Sequence, residues 1–465
     1  MLFTGSGSTG SSLYSLRVKD LLSMVKQENP IEKNGAIVLF GAFENDRYAF
    51  RQESSFYYFT GIKEPGAVLV IDLSGKSTLY IPEHGTTRAA WVHTPIALTQ
   101  ENAKKLGFDA IVPLGEMAPG YQFHPFSDKK HYRSLIADLE KIIAVHGKIF
   151  TLSPNNSYEY ADQRNALARF DGFIPGFKAA VVDIAELVAI MRRKKDMSEI
   201  EQMYKAVEIT VLAQGAAAQA ISDGITEAEV QASLEYMFTG SGARPSFPSI
   251  VAAGKNATIL HYTSNGDTLK NGQLVVVDIG AEYNYYCADL TRTYPVSGAF
   301  TKRQRELYNL VLETQEYIAS IAKPGMWLSN KEQPEKSLNH LAKKFLDSRG
   351  YGKYFNHGIG HFLGIDVHDV GDMKYPLQDG DVFTIEPGIY IPEENIGIRI
   401  EDNYWMAKDG VICLSESLPK KADDVEAMMH EIIEENEEAE DELLNAHELL
   451  DDEESEDDDL DLAHG

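Results

Sequence analysis

Val275-Val276-Val277-Asp278-Ile279-Gly280, followed by Asp289-Leu290-Thr291-Arg292-Thr293, decides how the C-terminal half of this chain is read. Three valines running into a carboxylate mark a buried strand that carries a charge where charge is costly unless something offsets it. The pattern recurs. Val382-Phe383-Thr384-Ile385 leads into Glu386, and the stretch from Ile396 to Ile400, interrupted by Gly397 and Arg399, ends at Glu401. His361 closes His357-Gly358-Ile359-Gly360-His361, where the glycines permit close backbone approach. One acid at a strand end is most often a turn cap. Four acids in such settings, with one imidazole, point to a pair of metal ions held between strands.

The charge count makes the same point. Asp278, Asp289, Glu386 and Glu401 are too acidic for a single divalent ion, whereas two ions balance four carboxylates. Without metal the carboxylates would repel one another and some would stay protonated. An oxygen-rich set suits Mn, Mg or Zn. Bridging carboxylates can hold two ions ~3.5–4 Å apart, close enough to activate one water against a carbonyl. Strands joined through Ala281 to Tyr285 are expected to bring Asp278 and Asp289 face to face. Glu386 and Glu401 are expected to face each other from a second strand pair, with Pro387-Gly388 ending its first strand.

Around these residues the strands expected near 274–280, 286–294, 381–386, 396–402 and 411–414 do not alternate with helices. That predicts an α+β domain, a mainly antiparallel sheet with helices on one side. Helices are expected at 183–194, 198–222, 301–322 and 332–348. Ser198 is the expected N-cap of the second, with Glu201 three residues on, and Thr226 with Glu229 opens another helix. Before this domain, Val38-Leu39-Phe40, Ala67 to Ile71 and Thr78 to Ile81 read as short buried strands. Leu16 to Glu28 and His131 to Val145 have helical spacing. The expected layout is a flexible leader over 1–12, a smaller α/β domain over 13–177, the α+β domain over 178–424 and an acidic, largely disordered tail over 425–465.

Composition sets outer bounds. The 465 residues exceed one ordinary core, which favours two domains. The net charge is −28, but 21 Asp and Glu and no Lys or Arg lie from Asp423 onward, leaving about −7 for the rest. Such a body has no basic face for nucleic acid, and no apolar run approaches the ~18 residues of a membrane span. The N-terminus lacks a basic and apolar signal pattern. Cys287 and Cys413 are the two cysteines, which fits a reducing cytoplasm. Cys287 reads as a small core residue, and His84, His93, His124, His131, His146 and His340 as surface or structural. The tail reads as a solubilising extension, the alternative being a docking segment for a basic partner or a local collector of cations.

The ordered run from Val277-Asp278-Ile279-Gly280 through Asp289 to Thr293, His357 to His361, Glu386-Pro387-Gly388-Ile389-Tyr390 and Gly397-Ile398-Arg399-Ile400-Glu401-Asp402 resembles the pita-bread metallopeptidases, which include methionine aminopeptidase, prolidase and aminopeptidase P. The resemblance spans about 180–425. Tyr48 to Gly61 with Glu64-Pro65 is similar to the amino-terminal domain of aminopeptidase P. Phe247 to Val251 and Asn256 to Tyr262 fit the same group.

The resemblance implies a pita-bread catalytic domain and an aminopeptidase that removes an N-terminal residue preceding proline, with two divalent ions, Mn by family habit. Asp278 would bind one ion, His361 and Glu386 the other, and Asp289 and Glu401 would bridge. Glu386 would also move a proton. His261 would stabilise the developing oxyanion, and His368 would contact the peptide near the scissile bond. Arg399 would lie behind the metals or on the substrate side, or serve only as an acid's ion-pair partner. His357 would line the proline pocket, and Trp91 would reach a neighbouring subunit's site in a dimer or tetramer. Other readings are a prolidase limited to Xaa-Pro dipeptides and a peptide-binding pita-bread shell without catalysis. Chains of the second kind usually lose ligands, and all five are present here.

Overall fold

The computed structural model describes residues 10–430, apart from 46, 87, 93–95, 119, 121–125, 127 and 155–160. The tail expected from 425 therefore lies outside the described residues beyond His430, as do most of the leader and the expected surface residues His93 and His124. By its contacts the chain divides into two units, 1–192 and 193–465.

In the first unit six strands form one sheet: β1 (Gly35–Phe40), β2 (Val68–Asp72), β3 (Ser77–Ile81), β4 (Ala110–Pro113), β5 (Lys148–Thr151) and β6 (Val181–Asp183), in the order β4-β3-β2-β1-β5-β6. β1 pairs antiparallel with β2 and parallel with β5. The helix expected over 16–28 spans Gly10–Glu28, starting within the expected leader. The unit ends later than the position near 178 because β6 pairs parallel with β5 and closes the sheet edge.

In the second unit every strand pair among the described residues is antiparallel. The strands are β7 (Arg244–Pro245), β8 (Ile250–Ala253), β9 (Leu274–Ile279), β10 (Ala281–Tyr283), β11 (Tyr286–Cys287), β12 (Leu290–Pro295), β13 (Val382–Ile385), β14 (Gly388–Ile391), β15 (Ile396–Arg399), β16 (Asp402–Ala407) and β17 (Gly410–Cys413). They form short ladders β12-β9-β8, β13-β16-β17, β14-β15 and β11-β10-β7. The apolar faces of helices Met197–Ala220, Glu227–Gly240, Lys302–Ile321 and Leu338–Ser348 join the strands in one buried cluster.

Two local expectations are corrected. The helix expected from 198 begins at Met197 and its N-cap is Asp196, not Ser198. The Asp196 side chain accepts from Glu199 N and the Glu199 carboxylate accepts from Asp196 N. Ser198 has Glu201 at the same spacing, but its backbone N and its hydroxyl both donate to Asp196 Oδ1, so it serves as a first-turn donor to the Asp196 cap and the box closes on Glu199. The caps at Thr226 and Thr301 form the same reciprocal pair with Glu229 and Gln304. Asp278 is not directly opposite Asp289. The register pairs Asp278 with Thr291, because a small hairpin of β10 and β11 occupies the connection. It turns through Asn284 and Tyr285, both at positive φ, a tight two-residue turn.

Candidate metal centre

Strand alternation explains why the acids meet. Asp278 and Thr291 are cross-strand neighbours, so their side chains share a face, and Asp289, two residues before Thr291, falls on that face too. On the other side, Ile385 pairs with Asp402 and Gly388 with Arg399. One register runs through both ladders, and extending it sets Glu386 opposite Glu401, as expected. Thr291 links the halves: it bridges Glu401 through the backbone, and its hydroxyl donates to Glu401 Oε2 at 2.7 Å. His361 enters from a loop beside β13, where Thr384 N donates to His361 O and Glu386 N to Ile359 O. A Cβ on Gly360 would collide with the Thr384 carbonyl, so this close approach requires glycine, whereas a Cβ on Gly358 would make only ordinary contact with Gly360.

Ligand atoms of Asp289, His361 and Glu401 all lie within 4.8 Å of one another. Asp278 and Glu386 line the same cavity of about 430 Å³, together with His261 and His368. A neighbouring cavity of about 230 Å³ adds His357, Gly358 and Arg399. Every sequence-derived site residue except Trp91 thus lies on one of these two cavities. Trp91 belongs to the first unit and is 65% exposed there.

Three observations show that the residues fit cations. Asp278 Oδ1 and Asp289 Oδ1 are buried with no hydrogen-bond donor among the described residues. Burial, with Asp278 and Glu386 nearby, holds the Asp289 carboxyl well above its ordinary range; burial, with Asp289 and Glu386, does the same to Glu401. Burial also raises Glu386 against the opposing pull of His361 and Arg399. The third observation is the tautomer of His361. Its Nδ1 lies 3.0 Å from the Phe362 carbonyl and must donate to it. In the neutral ring the Nε2 lone pair then points at Asp289 Oδ2, 3.4 Å away, and Glu386 Oε1, 3.6 Å away. A lone pair facing two carboxylates needs a positive charge between them, and a metal ion supplies it.

A polar lattice behind the acids was not anticipated residue by residue. Arg399 is buried, and each guanidinium nitrogen is engaged: Nη2 with Asp278 Oδ2 at 2.6 Å, Nη1 with the Tyr390 hydroxyl at 2.8 Å and Nε with Thr291 Oγ1 at 3.2 Å. Tyr390 in turn lies 2.9 Å from His357 Nε2. His357 Nδ1 faces the Gly358 carbonyl at 2.8 Å and donates to it, so Tyr390 donates to Nε2. Burial and then the Arg399 charge push His357 down to about 4, which keeps this chain neutral at His357. His361 and His368 rings lie 4.2 Å apart, edge to face.

Two helical glutamines complete the support. Gln214 donates to the carbonyls of Val277 and Leu290, and Gln315 to those of Ile385 and Ile400. Each reaches the backbone next to a metal-centre acid. Their signal in the sequence was a lone amide on an otherwise apolar helix face. Cys287 is buried against the Ile365 carbonyl, a core position as expected.

Comparison with known proteins agrees with this geometry. Residues 201–408 match the model of metallopeptidase family M24, and residues 14–122 that of the aminopeptidase P N-terminal domain. The Xaa-Pro aminopeptidase of Escherichia coli is 33% identical over 88% of this chain and 96% of its own length. The chain belongs to the aminopeptidase P group of M24 metallopeptidases. A solved structure of E. coli aminopeptidase P with substrate superposes with a TM-score of 0.75 at 29% identity, over 92% of this chain and 100% of that one. An Xaa-Pro dipeptidase from Pyrococcus furiosus is 32% identical over 80% of this chain and 94% of its length.

Proposed function

We propose that this metallo-aminopeptidase releases the N-terminal residue from peptides whose second residue is proline. The convergence of Asp289, His361 and Glu401 carries the reading. Asp278, Asp289, His361, Glu386 and Glu401 would hold two divalent ions, with Mn the expected metal. When bound, such ions supply an acidified water and a Lewis acid for the carbonyl.

The chain's own groups do the rest. Glu386 is half-buried and lines the cavity, where its carboxylate would take a proton from the attacking water and pass it to the leaving nitrogen. His261 stands exposed on the cavity wall, where an N–H can meet the oxygen that gains charge in the transition state. His368 lines the same wall and contacts the peptide. Although the residue is exposed, desolvation of its cavity-facing side, with His361 and His261 beside it, pushes it down to about 4, so it acts as a neutral ring. Arg399 fixes Asp278, and His357, held from behind by the Tyr390 hydroxyl, lines the smaller cavity. An Xaa-Pro bond is a tertiary amide with no N–H to satisfy, which suits a wall of rings rather than a row of acceptors.

One observation favours an aminopeptidase over a dipeptidase. A dipeptide presents its free carboxylate beside the proline and calls for a cation. Arg399 is the one Arg or Lys lining the two cavities among the described residues, and all three of its nitrogens are engaged. Metal analysis combined with assays on an Xaa-Pro dipeptide and an Xaa-Pro-Yaa tripeptide tests this: the tripeptide should be the better substrate by kcat/KM, and exclusive turnover of the dipeptide would overturn it. The same reading places the enzyme in the cytoplasm, as a dimer or tetramer. No helix among the described residues is long and apolar enough to cross a membrane.

A further inference from the structure

His261 sits on a stretch with little apolar burial of its own. No helix or strand runs between the turn Gly254–Thr258 and β9, and Ile259, His261, Thr263 and Ser264 are exposed. Apolar packing holds this segment through the Tyr262 ring, against Ile250, Ala252, Ala257 and Val276, and through Leu269. Hydrogen bonds add the directional hold on both sides of the imidazole.

Glu227, the first residue of helix Glu227–Gly240, is fully buried. Its Oε1 accepts from Ala253 N at 2.8 Å and Asn256 Nδ2 at 3.0 Å. Its Oε2 accepts from the Tyr262 hydroxyl at 2.8 Å and Asp267 N at 2.9 Å. Glu227 N donates back to the Asp267 carbonyl. Four donors thus converge on one carboxylate, and they come from both sides of His261. One turn along the same helix, Gln231 accepts from Asn265, a residue at positive φ. The helix dipole favours a carboxylate at this end, and a buried charge with four donors is satisfied rather than strained.

We infer that Glu227 is a positioning residue for catalysis: its carboxylate clasps the 253–267 segment and thereby holds His261 against the substrate carbonyl. The inference rests on the role given to His261 above. An apolar residue at 227 would fill the space but leave four donors unpaired and the segment free to shift, and a misplacement of ~1 Å near the chemistry can cost on the order of 100-fold.

The test is a double-mutant cycle in the metal-loaded enzyme on an Xaa-Pro-Yaa tripeptide, with Glu227→Gln made alone and together with His261→Ala. Glu227→Gln keeps the shape but turns one acceptor oxygen into a donor. It should lower kcat roughly 10- to 100-fold with KM changed less than about threefold, and in the His261→Ala background this loss should nearly vanish. Tyr262→Phe removes a single hydroxyl from a half-buried ring; it should lower kcat roughly threefold, with the same dependence on His261, and it serves as the cycle should Glu227→Gln fail to fold. Equal losses with and without His261 overturn the clasp and leave His261's role standing. An undiminished kcat in His261→Ala overturns that role, and the clasp with it.

Discussion

Glu401 and Asp402 are consecutive, both buried, and opposite in behaviour. Glu401 faces Asp289, Glu386 and Asp278, and burial among them holds its carboxyl well above the ordinary range. Asp402 points to the other side of the strand, where burial is outweighed by Arg292 and Lys420 and the carboxyl is pushed down to about 2. Arg292 is itself fully buried; it donates to Asp402 Oδ1 at 2.7 Å and to the Glu401 carbonyl at 2.8 Å. Ser415 and Lys420 complete the shell. The same backbone thus presents an acid poised to receive cations from outside and an acid already neutralised from within. Strand alternation is the device that separates them.

Breaking this contrast on the metal side should have the largest effect. Glu401→Gln should lower kcat/KM on the order of 10³-fold or more, equivalent to ~4 kcal/mol of transition-state stabilisation. It should also reduce bound metal, read by elemental analysis. Metal-free protein should gain melting temperature on adding Mn, and this gain should be lost in the variant. In the absence of metal, Glu401→Gln should be at least as stable as the parent, because it removes one of several mutually repelling acids. Full activity in this variant would remove Glu401 from the metal centre.

The equivalent change one residue on should reverse the sign of the stability effect. Asp402→Asn leaves Arg292 buried without its counter-charge, and such losses are typically ~3–5 kcal/mol. Urea unfolding of metal-free protein checks the pair side by side. Similar shifts in both variants would mean that the two environments do not differ as their partners imply.

Legibility in the sequence followed the same division. The metal-centre acids stood out because each ends an apolar run, where an uncompensated charge is costly. Antiparallel character followed from the spacing of those runs; strand number did not, since eleven strands form among the described residues of the second unit where five were expected. The exact partner of Asp278 did not, because Ala281 to Cys287 folds into its own hairpin and shifts the register. β14 was absent from the expected strands, because Pro387-Gly388 looked like an end rather than a break in a continuing register. Tyr390, Gln214 and Gln315 act through hydrogen bonds to segments far away in sequence, and no local pattern encodes those partners. Glu227 looked like an ordinary acid in a first helical turn. Its burial, which makes it informative, exists only once the 253–267 segment lies over it.

The first unit offers an intermediate case and the smallest predicted effect. Glu64 is buried with one carboxyl oxygen lacking a donor among the described residues. Arg88 lies near, but its guanidinium already pairs with Glu44 at 2.8 Å, so a single shared cation does not offset burial. The carboxyl is raised from 4.5 to about 7. Between those values the folded protein keeps a proton that the unfolded chain has released. Stability of this unit therefore falls as pH rises from about 4.5 to about 7, and the full penalty is present above that. Glu64→Gln removes the titration, so it should stabilise the protein by about 1–3 kcal/mol at pH 8 and by much less at pH 4.5. Denaturant midpoints of parent and variant at the two pH values measure the difference. A gain that does not depend on pH would mean that Glu64, like Asp402, is neutralised by its neighbours.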